Sequence, residues 1–221
     1  MTPAQLTRNN IILLVCLLLI IVFLPRLSTH RLLLVDVIFT AIIISGTFSL
    51  DFAAKTRRIL IATGTVTILL SWLALFFTNE LFGFVAFLSF FCFNLFVTVF
   101  MIRHIARSKQ VTVTIIINSI NGYLLIGILG AVLLAMTEIV QKFFLHIDTP
   151  SINFAGSGAA GFHDFLYFSF VTLTTLGYGD ITPVSSFAKS LTIVIAIAGQ
   201  LYLTILVATL VGKLLSQPRK E

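Results

Sequence analysis

Six stretches of the sequence are almost continuously apolar, and each approaches or exceeds the length that a helix needs to cross a lipid bilayer. They cover residues 9–24, 32–50, 58–78, 81–102, 112–138 and 187–213. A membrane-spanning helix takes about 20 predominantly apolar residues, and a helix that is apolar on all sides indicates lipid or protein around it rather than water. The pattern therefore predicts an all-α membrane protein with six transmembrane helices.

The connection between the fifth and sixth spans, residues 139–186, is too long for a plain hairpin. It contains a patch of glycine, serine and alanine within residues 154–161, and then an aromatic segment, 162–174, with Asp164 near its start. An acidic residue is favourable at a helix N-terminus, and about 13 residues are too few to span the bilayer. We therefore predict a re-entrant helix here. Irregular backbone at membrane depth is tolerated only where it is buried or lines an aqueous cavity.

The segment after this helix, Thr175-Leu-Gly-Tyr-Gly179, alternates glycine with other residues. Glycine alone adopts positive φ angles without steric cost, so such a strand can alternate in handedness and turn its carbonyl groups to one side. A row of oxygens repeated around a symmetry axis would replace the water shell of a cation. The negative C-terminal end of the preceding helix would also favour a cation.

These residues, with Thr174 and Asp180 on either side, resemble the signature of potassium channels, whose filter is the standard example of a carbonyl cage. The similarity covers about residues 112–213 and implies an outer helix, a pore helix, a filter and an inner helix, assembled as a homotetramer. It implies a selectivity filter with potassium ions at Thr175, Leu176, Gly177 and Tyr178, followed by Gly179. Thr174 and Asp180 would support the filter, and Gly199 would be the hinge of the inner helix. Val171 stands where some bacterial members carry a glutamate that pairs with the aspartate, so that brace is missing.

The sixth span also carries candidates for the wall of the cavity and for the gate. Leu203, Val207 and Val211 recur every four residues after Gly199, and Gln200 adjoins that glycine. A ring of valines can close a pore by excluding water. Helix packing is the alternative for the whole row, and the Gln200 amide would point either into the cavity or to a neighbouring helix.

The first four spans resemble the accessory domain of six-span prokaryotic potassium channels, but without a voltage sensor. Residues 81–102 contain no arginine or lysine, whereas a sensor helix carries regularly spaced arginines. We expect an accessory domain over residues 1–110 that includes a cytoplasmic linker, a pore domain over 111–215 and a short tail over 216–221. Asp36 lies one turn inside the second span, where it either pairs with Arg26 or Arg31 or reaches water.

Composition and charge support a membrane protein. Apolar residues make up 58% of the chain and charged residues 10%, against the ~25% charged in soluble proteins. Ten basic residues fall on one side of the predicted spans and four on the other, which predicts that both termini are cytoplasmic. We expect the protein in the plasma or inner membrane. The inner set is Arg8, Lys55, Arg57, Arg58, Arg103, Arg107, Lys109, Lys213, Arg219 and Lys220, and the outer set is Arg26, Arg31, Lys142 and Lys189.

The function expected from these features is passive, potassium-selective conduction that is not steeply voltage-gated. The basic residues form no nucleic-acid surface, the four histidines are too scattered for a metal site, and no cofactor is expected besides the permeant ion. A weakly selective cation channel is the nearest alternative. The other is an intramembrane aspartyl protease, because Gly177-Tyr-Gly-Asp180 also fits its Gly-x-Gly-Asp pattern. The Tyr-Asp partner that such an enzyme needs is absent, so we expect no enzyme.

Overall fold

The computed structural model describes residues 3–27, 32–50, 54–76, 80–108, 110–147, 149–154 and 161–216. Most of them are helical. The helices are α1 (Pro3–Leu27), α2 (Leu32–Thr47), α3 (Ala54–Phe76), α4 (Glu80–Arg107), α5 (Val113–Ile139), α6 (Phe162–Leu173) and α7 (Ser186–Leu215). A π-helical turn, Val140–Phe144, extends α5, and two short strands are β1 (Ile152–Phe154) and β2 (Ile181–Pro183).

Several residues that the sequence analysis used lie outside the described part of the chain. They are the side chain of Arg26, the whole of Arg31 and Lys109, residues 155–160 of the small-residue patch, and residues 217–221 of the tail, with Arg219 and Lys220.

Among the described residues, five helices are long and apolar enough to cross a membrane: α1, α3, α4, α5 and α7. The one remaining predicted span, 32–50, coincides with α2, which is apolar but has only 16 residues. A 16-residue helix is about 24 Å long, somewhat less than the hydrocarbon thickness of about 30 Å. The described structure thus supports a multi-pass helical protein, and the arrangement of six spans stays a prediction.

The helix α4 continues through Arg107, five residues beyond the predicted fourth span, 81–102. The basic residues 103, 104 and 107, which follow the predicted span, belong to the last turns of α4, where positive charge is favourable beside the negative end of the helix dipole. The helix α5 then begins at Val113, and the Thr112 hydroxyl accepts a hydrogen bond of 3.4 Å from the Ile115 amide as its N-cap.

The helix α5 lies at the centre of the fold and contacts α1, α4, α6 and α7. Its buried residues, among them Leu125, Ile128 and Val132, form a common core with one face of α1 and one face of α4. Two buried amides add bonds between these helices. The Asn121 side chain donates to the backbone oxygen of Asn10 in α1 at 2.9 Å, and Asn94 in α4 donates to that of Leu125 at 3.4 Å.

The two strands form an antiparallel pair that the sequence pattern did not predict. Residues 152, 153 and 154 pair with 183, 182 and 181. The pair is held at its base by Ser151, whose backbone oxygen accepts from the amides of Val184 and Ser185, and whose own amide donates to the Glu138 carboxylate of α5 at 2.9 Å. The long connection is therefore tied both to the outer helix and to the residues that follow Asp180.

Candidate functional site

The helix α6 is the short aromatic helix that the sequence predicts between the fifth and sixth spans. Asp164 lies in its first turn, and its carboxylate accepts a hydrogen bond of 2.9 Å from the Gly161 amide. The negative side chain thus satisfies an amide that the helix leaves free and complements the positive end of its dipole. At 12 residues α6 is too short to span a bilayer, and its C-terminal end points into the irregular segment 174–180.

The segment that follows α6 alternates in backbone handedness. Thr175, Gly177 and Gly179 have φ angles of 59°, 56° and 80°, whereas Leu176 and Tyr178 do not have positive φ. Glycine tolerates this conformation, but for a β-branched residue such as Thr175 it is unusual and costs about 1–3 kcal/mol. A strained residue of this kind persists only where its surroundings hold it, and such residues are concentrated at functional sites.

The backbone of this segment is held from the side of α6. The amides of Leu176 and Gly177 both donate to the Val171 oxygen, at 3.0 and 3.3 Å, and the Thr175 amide donates to the Thr172 oxygen at 3.0 Å. Within the part of the chain that the structure describes, no donor is bonded to the carbonyl oxygens of residues 175–179. Three amides of the segment thus fix its shape, and its carbonyl groups are left available.

The Thr175 end of the segment meets α7 through two side chains. The Gln200 amide of α7 donates to the Thr175 hydroxyl at 3.3 Å, and that hydroxyl donates to the Thr174 oxygen at 2.6 Å. The Gln200 amide thus faces residues 174–180, and its place in the wall of a cavity stays a prediction.

The outer end of the segment is braced by a residue that the sequence analysis missed. The Tyr167 hydroxyl donates to the Asp180 carboxylate at 2.7 Å, and the other carboxylate oxygen accepts from the Ile181 amide at 3.1 Å. The hydrogen bond to Asp180 raises the pKa of Tyr167 to about 12, so the tyrosine remains a donor throughout the physiological range. Tyr167 precedes Val171 by one helical turn and lies on the same face of α6, which was the available clue.

Gly199, expected as a hinge, lies where the backbone of α7 packs directly on the end of α6. A Cβ atom at this position would lie 2.2 Å from the carbonyl oxygen of Leu173. The helix α7 continues without a break through this residue. The geometry therefore gives Gly199 a packing role, and its action as a hinge stays a prediction.

The other candidates on α7 share one face with Gln200. Leu203, Val207 and Val211 follow it by three, seven and eleven residues, which is helical spacing, and all three are exposed in the single chain. They are thus free to line a cavity formed with other copies. In the last turn of α7, the Lys213 ammonium donates to the backbone oxygens of Ile105 and Ala106, at 2.8 and 3.0 Å, near the C-terminal end of α4.

Within the described ranges, no group of three or more histidine, cysteine or acidic side chains is arranged to hold a metal ion. Asp180 is bonded to a tyrosine hydroxyl and a backbone amide rather than to a second carboxylate. An aspartyl protease requires two carboxylates that share a proton.

Comparison with known proteins finds a family match that includes this site. Residues 125–216 match a family described as "Ion channel". A segment of 64 residues is 44% identical to a protein named two-pore potassium channel 4 from Arabidopsis thaliana. That match covers 29% of this chain and 22% of the plant protein, so the chain spans less than a quarter of that relative's length. No solved structure matched the chain.

Proposed function

We propose that the protein is a potassium-selective ion channel, in which residues 175–179 form the selectivity filter. The observation that carries the proposal is the alternating handedness of this segment at the C-terminal end of a short helix, with carbonyl groups to which no donor among the described residues is bonded. The match of residues 125–216 to an ion channel family and the potassium channel relative support it.

Conduction follows from the chemistry of the backbone. Carbonyl oxygens of Thr175, Leu176, Gly177 and Tyr178 replace the hydration shell of a potassium ion, so that a nearly uncharged chain binds a cation. Multiple adjacent sites keep each one weak enough for the ion to leave. The C-terminal end of α6 adds partial negative charge at the inner side of the filter.

The proposed channel is a homotetramer in the plasma or inner membrane with both termini in the cytoplasm. One chain offers a single filter strand, whereas a cation needs oxygens on all sides, so four copies would surround it. The exposed face of α7 with Leu203, Val207 and Val211 supports this assembly, because it gives the four inner helices an apolar surface toward a common cavity. A ring at Val207 or Val211 would gate conduction by excluding water.

The test is a flux assay on the purified protein in liposomes. Potassium flux should exceed sodium flux and should be blocked by barium, a divalent ion of similar size that binds the filter tightly. Equal fluxes would replace this proposal with a weakly selective cation channel. Absence of flux, with peptide cleavage that depends on Asp180, would refute conduction altogether.

The variant Gly177→Ala tests the filter directly. No atom lies within 4 Å of the position that its Cβ would take, so any effect in the chain comes from the φ angle of +56°. A left-handed residue other than glycine costs about 1–2 kcal/mol, and we expect loss of selectivity or of flux. The matched control is Gly46→Ala in α2, where the new Cβ meets side chains of α4 at an ordinary 3.7 Å and where flux should persist.

A further inference from the structure

A cleft of about 160 Å³ lies between α2, α3 and α4, at the level where α2 begins, α3 ends and α4 begins. Its lining combines one carboxylate with three aromatic rings and small residues that leave the space open. The lining includes Asp36, Phe39, Ser71, Gly83, Phe87 and Phe90. Asp36 is half-buried, and among the described residues no basic side chain lines the cleft.

This combination of groups selects a cation with apolar substituents. A carboxylate in apolar surroundings attracts positive charge, and the faces of phenylalanine rings attract it further. A volume of about 160 Å³ is similar to that of a cavity that accommodates benzene. A small inorganic ion would find one carboxylate and the Ser71 hydroxyl, too few oxygens to replace its water.

Among organic cations, the polar groups of the lining favour a quaternary ammonium over a primary ammonium. A primary ammonium has three N–H donors to satisfy, but Asp36 and Ser71 are the polar side chains among the described residues of the lining. A quaternary ammonium has no N–H groups and needs none of these partners. A phospholipid head group would also bring a phosphate, and the described lining offers no basic side chain to it. We propose that this cleft is a binding site for a soluble, small quaternary ammonium cation.

The site is connected to the pore helix through aromatic contacts. The rings of Phe39 and Phe87 lie 5.7 and 5.8 Å from the ring of Phe162, the first residue of α6, and Phe39 also contacts Phe90 at 4.7 Å. A cation held against these rings is therefore one side chain away from the start of α6. The binding itself does not depend on conduction, so it can be tested even if the proposed function is wrong.

The experiment measures equilibrium binding of radiolabelled tetramethylammonium to the purified full-length chain in detergent, with excess potassium present to occupy any filter site. Wild type should bind in a saturable manner. Asp36→Asn removes the charge at constant volume, and Gly83→Leu fills the cleft at a position where an added Cβ meets no atom within 4 Å. Both should weaken binding at least about tenfold, whereas Asp36→Glu, which keeps the charge, should retain it.

Equal binding by wild type, Asp36→Asn and Gly83→Leu would overturn the proposal, because the ligand would then bind elsewhere. No saturable binding to wild type would overturn it as well. A second measurement compares tetramethylammonium binding by the protein in bilayers of phosphatidylcholine with its binding in bilayers of phosphatidylglycerol. Binding that survives in both supports a soluble ligand, and binding abolished only by phosphatidylcholine assigns the cleft to the lipid head group instead.

Discussion

The packing of Gly199 on the end of α6 gives a prediction that separates a packing role from a hinge. In Gly199→Ala the new methyl carbon would lie 2.2 Å from the Leu173 oxygen and 3.0 Å from its carbonyl carbon, where ordinary contact begins near 3.4 Å. The neighbour is backbone and cannot rotate away, so α7 must move from α6 by about 1 Å. Overpacking of this kind costs typically about 1–3 kcal/mol.

The same helix offers a matched control in Gly212, where an added Cβ would meet no atom within 4 Å. Gly212→Ala should be neutral or slightly stabilising, because alanine is favoured over glycine in a helix by up to about 1 kcal/mol. Thermal unfolding of the two purified variants in detergent measures the difference, and potassium flux in liposomes measures its consequence for the filter that Leu173 precedes.

We expect Gly199→Ala to lower the melting temperature by several degrees and to reduce flux, with Gly212→Ala close to wild type in both. A variant Gly199→Ala that melts like wild type would refute the packing argument. If the same variant also conducts with altered gating, Gly199 acts as a hinge, as the resemblance to potassium channels implies.

Three further predictions concern other contacts of the proposed channel. Tyr167→Phe removes the donor to Asp180 and should shorten single-channel openings without changing the melting temperature; open times equal to wild type would contradict a brace at this position. Lys213→Met releases the end of α7 from the last carbonyl groups of α4 and should raise the open probability, whereas Lys213→Arg should resemble wild type; equal open probabilities would argue against a link to the gate. Because residues 81–102 carry no basic side chain, patch recordings should show weak voltage dependence, and a steep rise with several gating charges would refute this.

The sequence was sufficient for five long apolar helices and for the alternating backbone of residues 175–179, because both depend on local features. Long apolar stretches form helices in lipid whatever their neighbours are, and the glycine spacing of residues 175–179 is sufficient to suggest alternating handedness. The structure has this alternation, with Thr175 as a further left-handed residue. That residue was not foreseen, since nothing in a threonine indicates positive φ until its hydrogen-bond partners are known.

Contacts between distant residues were beyond the sequence pattern. The strands β1 and β2 have three residues each, too few to show an alternation, and one of them ends in a proline. The contact of Tyr167 with Asp180 joins residues 13 apart across a turn. The continuation of α4 to Arg107 was not predicted. Basic residues after an apolar stretch are typical of the end of a membrane span, but they are equally typical of the last turn of a longer helix.

The helix α4 connects the accessory helices to the proposed pore by contacts rather than by charge. Moving one elementary charge through 100 mV provides about 2.3 kcal/mol, and α4 has no such charge within its apolar part. Its buried side packs on α5, where Asn94 is bonded to the Leu125 oxygen, and its last turns receive the Lys213 ammonium from α7. A stimulus that displaces α4 would therefore reach α7 through these two neighbours, whereas a ligand beside Phe87 would also act on α6 through the Phe162 ring.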